Sequence, residues 1–88
     1  MYTVYVLHSS RYSKIYIGCT TNLSQRLRSH NELSKRGWTV RYRPWELVYF
    51  ERYTDKGVAL RRERELKSAA GRRFIWGLIR KKGTHDES

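Results

Sequence analysis

A small set of residues in this chain has the types and spacings to act on an anion. Glu63 is the most telling. Ala59, Leu66 and Ala70 fall at offsets 0, 7 and 11 and share one helical face, and Glu63, at offset 4, sits within it. A carboxylate on a protein-facing stripe needs a cation, because an unpaired buried charge is expensive. That cation is either a basic side chain such as Arg62 or Arg26, or a metal ion; on periodicity alone the ion pair is the commoner outcome. Glu65 lies off that face and reads as a solvated helix residue. Arg26 and His30 are four apart, the spacing of neighbours on one helix stripe. The planar fork of Arg26 matches phosphate oxygens, and an arginine on a solvated face has the same look. His30 could move a proton or donate to a phosphate, or it could be a structural hydrogen-bonding residue. Tyr5 and Tyr16 could serve as a general base or orient a phosphate, although strand tyrosines, of seven in the chain, are ordinarily packing residues.

These side chains must be carried by regular elements. Tyr2 to Leu7 alternates with β-branched and aromatic residues and predicts a strand, and residues 8–13 predict a polar hairpin loop. Lys14 to Cys19 predicts a second strand. In a hairpin, Tyr5 and Tyr16 both fall on the face away from the aliphatic residues. Thr20-Thr21-Asn22 offers N-caps for a helix whose inward stripe is Leu23 and Leu27 and which frays near Lys35-Arg36-Gly37. Pro44 disfavours a regular central element before a third strand over Glu46 to Tyr53. Thr54 and Asp55 can cap a helix over Lys56 to Ala69, with Gly71 as its C-terminal cap. A last helix is expected over Arg72 to Lys81, with Phe74, Ile75, Leu78 and Ile79 as its apolar positions. The order is ββαβαα, an α+β fold with a small three-stranded antiparallel sheet flanked by three helices. One domain over residues 1–82 and a disordered tail over 83–88 are expected.

Composition narrows the partner. The 88 residues carry 19 Lys and Arg against 8 Asp and Glu, a net charge of +11. A small soluble domain needs only ~2–8 charges, so the excess points to a polyanion: nucleic acid first, an anionic membrane surface second. Aromatics at 14% argue against disorder. Trp38 and Trp45, with Arg41 and Arg43 between them, suit a surface that stacks bases and neutralises phosphates; Trp45, beside a strand, also suits the edge of the core. Arg61, Arg62, Arg72 and Arg73 extend a basic rim. The single Cys19 leaves no disulfide framework and reads as a small buried residue. The apolar run at the N-terminus is too short for a signal peptide or membrane span, and a cytoplasmic location is expected.

The motif strands Thr3-Val4-Tyr5 and Tyr16-Ile17-Gly18, the stretch Cys19 to His30 with its Arg26 and His30, the segment Arg43-Pro44-Trp45-Glu46-Leu47-Val48-Tyr49 and the helix Ala59 to Lys67 with its Glu63 together resemble the GIY-YIG nuclease domain. The resemblance covers roughly residues 2 to 80. YIG alone is unspecific; the ordered Tyr, YIG, Arg, His and Glu carry the match. Among the groups of this superfamily, the chain looks like the small stand-alone bacterial proteins.

That resemblance implies a divalent-metal-dependent endonuclease acting on DNA, and with it the membrane reading of the charge recedes: no membrane partner is expected. It implies Glu63 as the protein ligand of one Mg²⁺ or Mn²⁺ ion and Arg26 as the residue that neutralises the scissile phosphate. It implies Tyr5 and Tyr16 as the motif tyrosines that activate or position the attacking water, with His30 in support. Gly18 matches the motif glycine, whose missing side chain leaves room for backbone or substrate. Thr3 stands where the family's first motif has glycine, and Phe74 to Ile79 holds no Asn such as larger relatives show. The alternative is a non-catalytic nucleic-acid-binding module that keeps this fold.

Overall fold

The computed structural model of the chain describes the backbone of residues 1–87 and the side chains of residues 1–81. The expected tail over 83–88 falls outside the residues described in full. Three strands, β1 (Tyr2–Ser9), β2 (Lys14–Thr20) and β3 (Glu46–Tyr53), form an antiparallel sheet in the order β2-β1-β3. Three helices flank it: α1 (Leu23–Arg28), α2 (Lys56–Lys67) and α3 (Ala69–Glu87). The expected ββαβαα order is the observed one. A π turn over Ser29–Leu33 prolongs α1, and a 3₁₀ turn over Trp38–Tyr42 precedes β3. No helix among the described residues is long and apolar enough to cross a membrane.

The two faces of the sheet follow from strand alternation. Val4, Val6, Ile15 and Ile17 bury one face against Ala59 and Leu66 of α2 and Ile75 of α3. Tyr5 and Leu7 bury the other with Trp45, and Leu23, Leu27 and Tyr16 pack against them. Leu23 and Leu27 are thus half-buried rather than core. Tyr5 pairs with Gly18 and Leu7 with Tyr16 across β1 and β2, which puts the two phenols on one side, as the alternation predicts. Strand β3 breaks its own alternation. Val6 pairs with Tyr49 and Leu7 with Leu47, so a bulge at Val48 moves Leu47 to the Tyr5 face and leaves Tyr49 on the other.

Helix boundaries differ from the sequence expectation in two places. Helix α1 is only six residues long before its backbone widens into the π turn, and that turn buries His30. Helix α2 ends at Lys67 because Ser68 is extended and its hydroxyl donates to the Glu65 carbonyl at 2.6 Å. Gly71 is therefore not the cap of α2; it lies inside α3, and Ala70, expected on the buried face, is exposed. Gly71 is required by packing. A Cβ there would lie 2.3 Å from the Glu65 carbonyl oxygen and 2.5 Å from the Leu66 Cα, both backbone atoms of α2. In α3 the inward positions are Ile75, Trp76 and Ile79, whereas Phe74 and Leu78 face outward.

A half-buried ion pair ties β3 to α2. Arg62 donates to Glu51 through Nε at 2.8 Å and Nη2 at 3.0 Å, and the Tyr49 and Tyr53 hydroxyls donate to the same carboxylate. Burial pushes the Glu51 pKa up, but Arg62, Tyr49 and Tyr53 together outweigh it and hold the carboxyl at about 2.

Two outcomes are expected. Gly71→Ala destabilises the fold by ~1–3 kcal/mol in urea unfolding, since backbone atoms must move; Gly77→Ala, with open space around it, is neutral or stabilising by ~1 kcal/mol. The Glu51 contribution is full above the ordinary value of 4.5 and fades as pH falls through about 2. Urea midpoints from pH 7 to 2 therefore show an acid-side loss of up to ~3 kcal/mol that Glu51→Gln flattens.

Candidate active site

Edge strand β2 and the helices on either side of it gather the residues singled out by type and spacing. Tyr5 is 1% exposed, and its hydroxyl lies 3.0 Å from Nε2 of His30. The other imidazole nitrogen, Nδ1, lies 3.2 Å from the Thr39 hydroxyl. Tyr16 completes the group: its ring centroid is 4.6 Å from that of His30 and 6.2 Å from that of Tyr5.

The reason for Gly18 is its partner across the sheet, Tyr5. A Cβ at that position would sit 2.6 Å from the Tyr5 hydroxyl and 2.7 Å from Cζ. The missing side chain makes room for the Tyr5 phenol, not for backbone. Tyr5 lies across Gly18 and reaches His30 only because nothing stands between them.

His30 is held by the π turn, and the π turn is held by Arg43. Its guanidinium donates to the carbonyls of His30 and Ser34, each at 2.5 Å, and of Ser29 at 3.3 Å. Helix ends leave carbonyls to be satisfied in this way; that of Ser29 also accepts from the Ser34 N–H at 2.9 Å. Asn31 adds a reciprocal pair with the Trp45 backbone at 2.6 and 2.9 Å. Trp45 is 4% exposed and donates from its indole nitrogen to the Thr39 carbonyl at 2.7 Å, so it closes the edge of the core.

Electrostatics fix the protonation of this group. Burial, with the Tyr16 phenol adding to it, pushes the Tyr5 pKa up to about 12 against the opposing pull of Arg26. Burial lowers the His30 pKa, and the positive charges of Arg26 and Arg43 lower it further. Around neutral pH the phenol is protonated and the imidazole neutral. A neutral imidazole accepts at one nitrogen and donates at the other, so Tyr5 and Thr39 play opposite roles on it.

Arg26 is exposed on α1 and lines a cavity of about 480 Å³ with Cys19, Asn22, Lys56 and Leu60. Cys19 is half-buried rather than buried. Glu63 lies one turn beyond Leu60, and its charge is felt at both Tyr5 and Cys19, where it raises the pKa. The Glu63 side chain is 17% exposed and pairs with Lys67 Nζ at 3.0 Å. The ion pair weighed for Glu63 is thus real, but its partner is Lys67 rather than Arg62 or Arg26. Among the described residues no three His, Cys, Asp or Glu side chains gather to cage a metal ion. A lone carboxylate suits a hard divalent ion that keeps most of its own waters, and Lys67 must give way for Glu63 to take one.

The basic rim divides. Arg41, Arg61, Arg72 and Arg73 are exposed, and Trp38 is 45% exposed. Arg43 and Arg62 belong to the fold instead, the first on the π-turn carbonyls and the second on Glu51. Thr39, Lys67 and Asn31 escaped the sequence reading. Only Lys67 had a signal, four residues after Glu63.

Gly18→Ala is expected to displace the Tyr5 ring and separate it from His30. Melting should show a loss of ~1–3 kcal/mol. In an NMR titration the His30 midpoint, below 6.5 in the parent, should move when Tyr5 is displaced.

Comparison with known proteins adds an independent observation. The family model described as the GIY-YIG catalytic domain matches residues 1–75. The chain is 40% identical over 65 residues to a UPF0213 protein of Natronomonas pharaonis, covering 74% of this chain and 75% of that one. It is 39% identical over 56 residues to a UPF0213 protein of Staphylococcus haemolyticus, covering 64% and 68%. It is also 37% identical over 86 residues to the structure-specific endonuclease subunit SLX1 of Debaryomyces hansenii, covering 90% of this chain but 25% of that longer protein.

Proposed function

The chain belongs to the GIY-YIG catalytic domain family, and from that premise we propose that it is a divalent-metal-dependent endonuclease that hydrolyses DNA phosphodiester bonds. The observation that carries the reading is the convergence of Tyr5, Tyr16, His30 and Arg26 at β2, with the Glu63 charge felt at the Tyr5 phenol. Similarity to SLX1 subunits, which are named structure-specific endonucleases, supports it.

Hydrolysis needs a positioned water in line with the leaving oxygen, and neutralisation of charge on the phosphate. Arg26, exposed on the cavity wall, supplies a guanidinium to the phosphate oxygens. Tyr5 is a poor base, because its proton is held up to about 12. It serves as the strut that orients His30. Tyr16, less buried and touching the His30 ring, directs its hydroxyl to the attacking water. Water oxygen bonds to phosphorus and gives up a proton to solvent, the bond from phosphorus to the leaving oxygen breaks, and that oxygen takes up a proton from solvent. A Mg²⁺ or Mn²⁺ ion held by Glu63 would supply Lewis-acid stabilisation of the leaving oxygen.

The second reading, a module that binds nucleic acid without cutting it, is favoured by the absence of an Asn in Phe74 to Ile79 and by the Lys67 cation already on Glu63. The two separate in one assay. Wild type with Mg²⁺ or Mn²⁺ is expected to cut at least one of linear duplex, branched and single-stranded DNA. Glu63→Gln and Arg26→Ala each lower turnover by ~10²-fold or more while melting stays near that of the parent. Identical behaviour of wild type and Glu63→Gln on every substrate overturns the nuclease reading.

A further inference from the structure

A second groove, of about 600 Å³, lies along the open edge of β2 toward the N-terminal end of the strand. Its walls include Lys14, Tyr16, Trp38, Lys67, Arg72 and Trp76, three aromatic rings and three cations, and among the described residues no carboxylate lines it. We propose that this groove binds an unpaired DNA strand next to the cleavage site, which makes the substrate class a DNA that carries single-stranded nucleotides. The inference rests on the nuclease reading for its biological sense and on the groove itself for its chemistry.

Three features carry it. Trp38 is 45% exposed, yet its ring is backed by Tyr42 at 4.8 Å and Trp45 at 5.7 Å between centroids. Tyr42 is held in turn by Tyr12 at 5.5 Å, with Lys14 Nζ over its ring at 5.5 Å. An exposed ring braced in this way is a stacking platform that loses little entropy on binding. The cations are placed as well: Arg72 donates from Nε to the Lys67 carbonyl at 3.1 Å, which anchors its stem and leaves the rest of the fork for a phosphate. Finally, the groove shares Tyr16 with the candidate active site, and Lys67 pairs with Glu63, so a strand lying in it leads directly to that site. Duplex DNA buries the faces of its bases and offers mainly phosphates, whereas an unpaired strand offers both phosphates and π-faces. Only the second uses the rings as well as the charges.

Fluorescence anisotropy of labelled strands in chelator tests this without turnover. The probes are oligothymidylate of about ten nucleotides, an abasic deoxyribose-phosphate strand of equal length, and a blunt duplex. Wild type is expected to prefer oligothymidylate to the abasic strand. Trp38→Ala should weaken oligothymidylate binding by about 5- to 100-fold and erase that preference. Trp38→Phe should keep most of it, and Phe74→Ala, an exposed ring beside β3 on the opposite edge, should change nothing. Melting curves verify that each variant is folded. Equal binding of the abasic strand and oligothymidylate by wild type, or unchanged binding in both Trp38→Ala and Trp76→Ala, overturns the proposal. The outcome is separable from the nuclease reading. A wild type that cuts DNA but shows no base preference sinks the groove alone, and one that prefers oligothymidylate but never cuts sinks the nuclease alone.

Discussion

The contact on which the candidate site depends is the approach of the Tyr5 phenol over Gly18 to the His30 ring. Tyr5 stands on the central strand, Gly18 on the edge strand and His30 on a π turn twenty-five residues away from Tyr5. Because the ring passes where a Cβ would be, strand pairing and helix docking must agree to within a fraction of an ångström. Tyr16 and Thr39 close around the same imidazole, so the position of His30 is over-determined by three elements. A rigid group of this kind can hold one protonation state: burial selects the protonated phenol against the pull of Arg26, and burial with the positive charges of Arg26 and Arg43 selects the neutral imidazole.

Arginine does two different jobs in this molecule. Arg43 and Arg62 spend their donors inside the chain, one on the open carbonyls of the π turn and one on the Glu51 carboxylate. A net charge of +11 therefore overstates the number of guanidiniums free for a polyanion. Arg26, Arg41, Arg61, Arg72 and Arg73 remain exposed for one. Lysine makes a related point. Lys67 is the counter-charge that keeps the Glu63 carboxylate tolerable on a largely covered face.

Edge strand β2 explains why the site is where it is. A strand with one partner has an open side, and here two grooves lie along that open side, one toward the C-terminal end of β2 with Arg26 and Lys56 and the other toward its N-terminal end with Lys14 and Trp38. The basic side chains that line these grooves also discourage edge-to-edge pairing with another sheet.

Much of this was legible in the residues. Alternation marked all three strands, Asn22 and Asp55 marked the helix starts that their side chains cap, and the side of the sheet shared by Tyr5 and Tyr16 followed from period two. These are local properties, decided by steric preferences and hydrogen bonds within a few residues. The order of Tyr, YIG, Arg, His and Glu was legible through its resemblance to the GIY-YIG family, not through local preference. What sequence could not determine is every relation set by contact across the fold. The bulge at Val48 turns Leu47 to the other face, Gly71 is needed for a helix crossing rather than a cap, and Arg43 is a clamp rather than a rim residue. Gly18 shows the division most clearly: the sequence places a glycine after Tyr16-Ile17, but only the tertiary structure reveals that the space it leaves belongs to Tyr5, because the two residues meet through strand pairing and not through the chain.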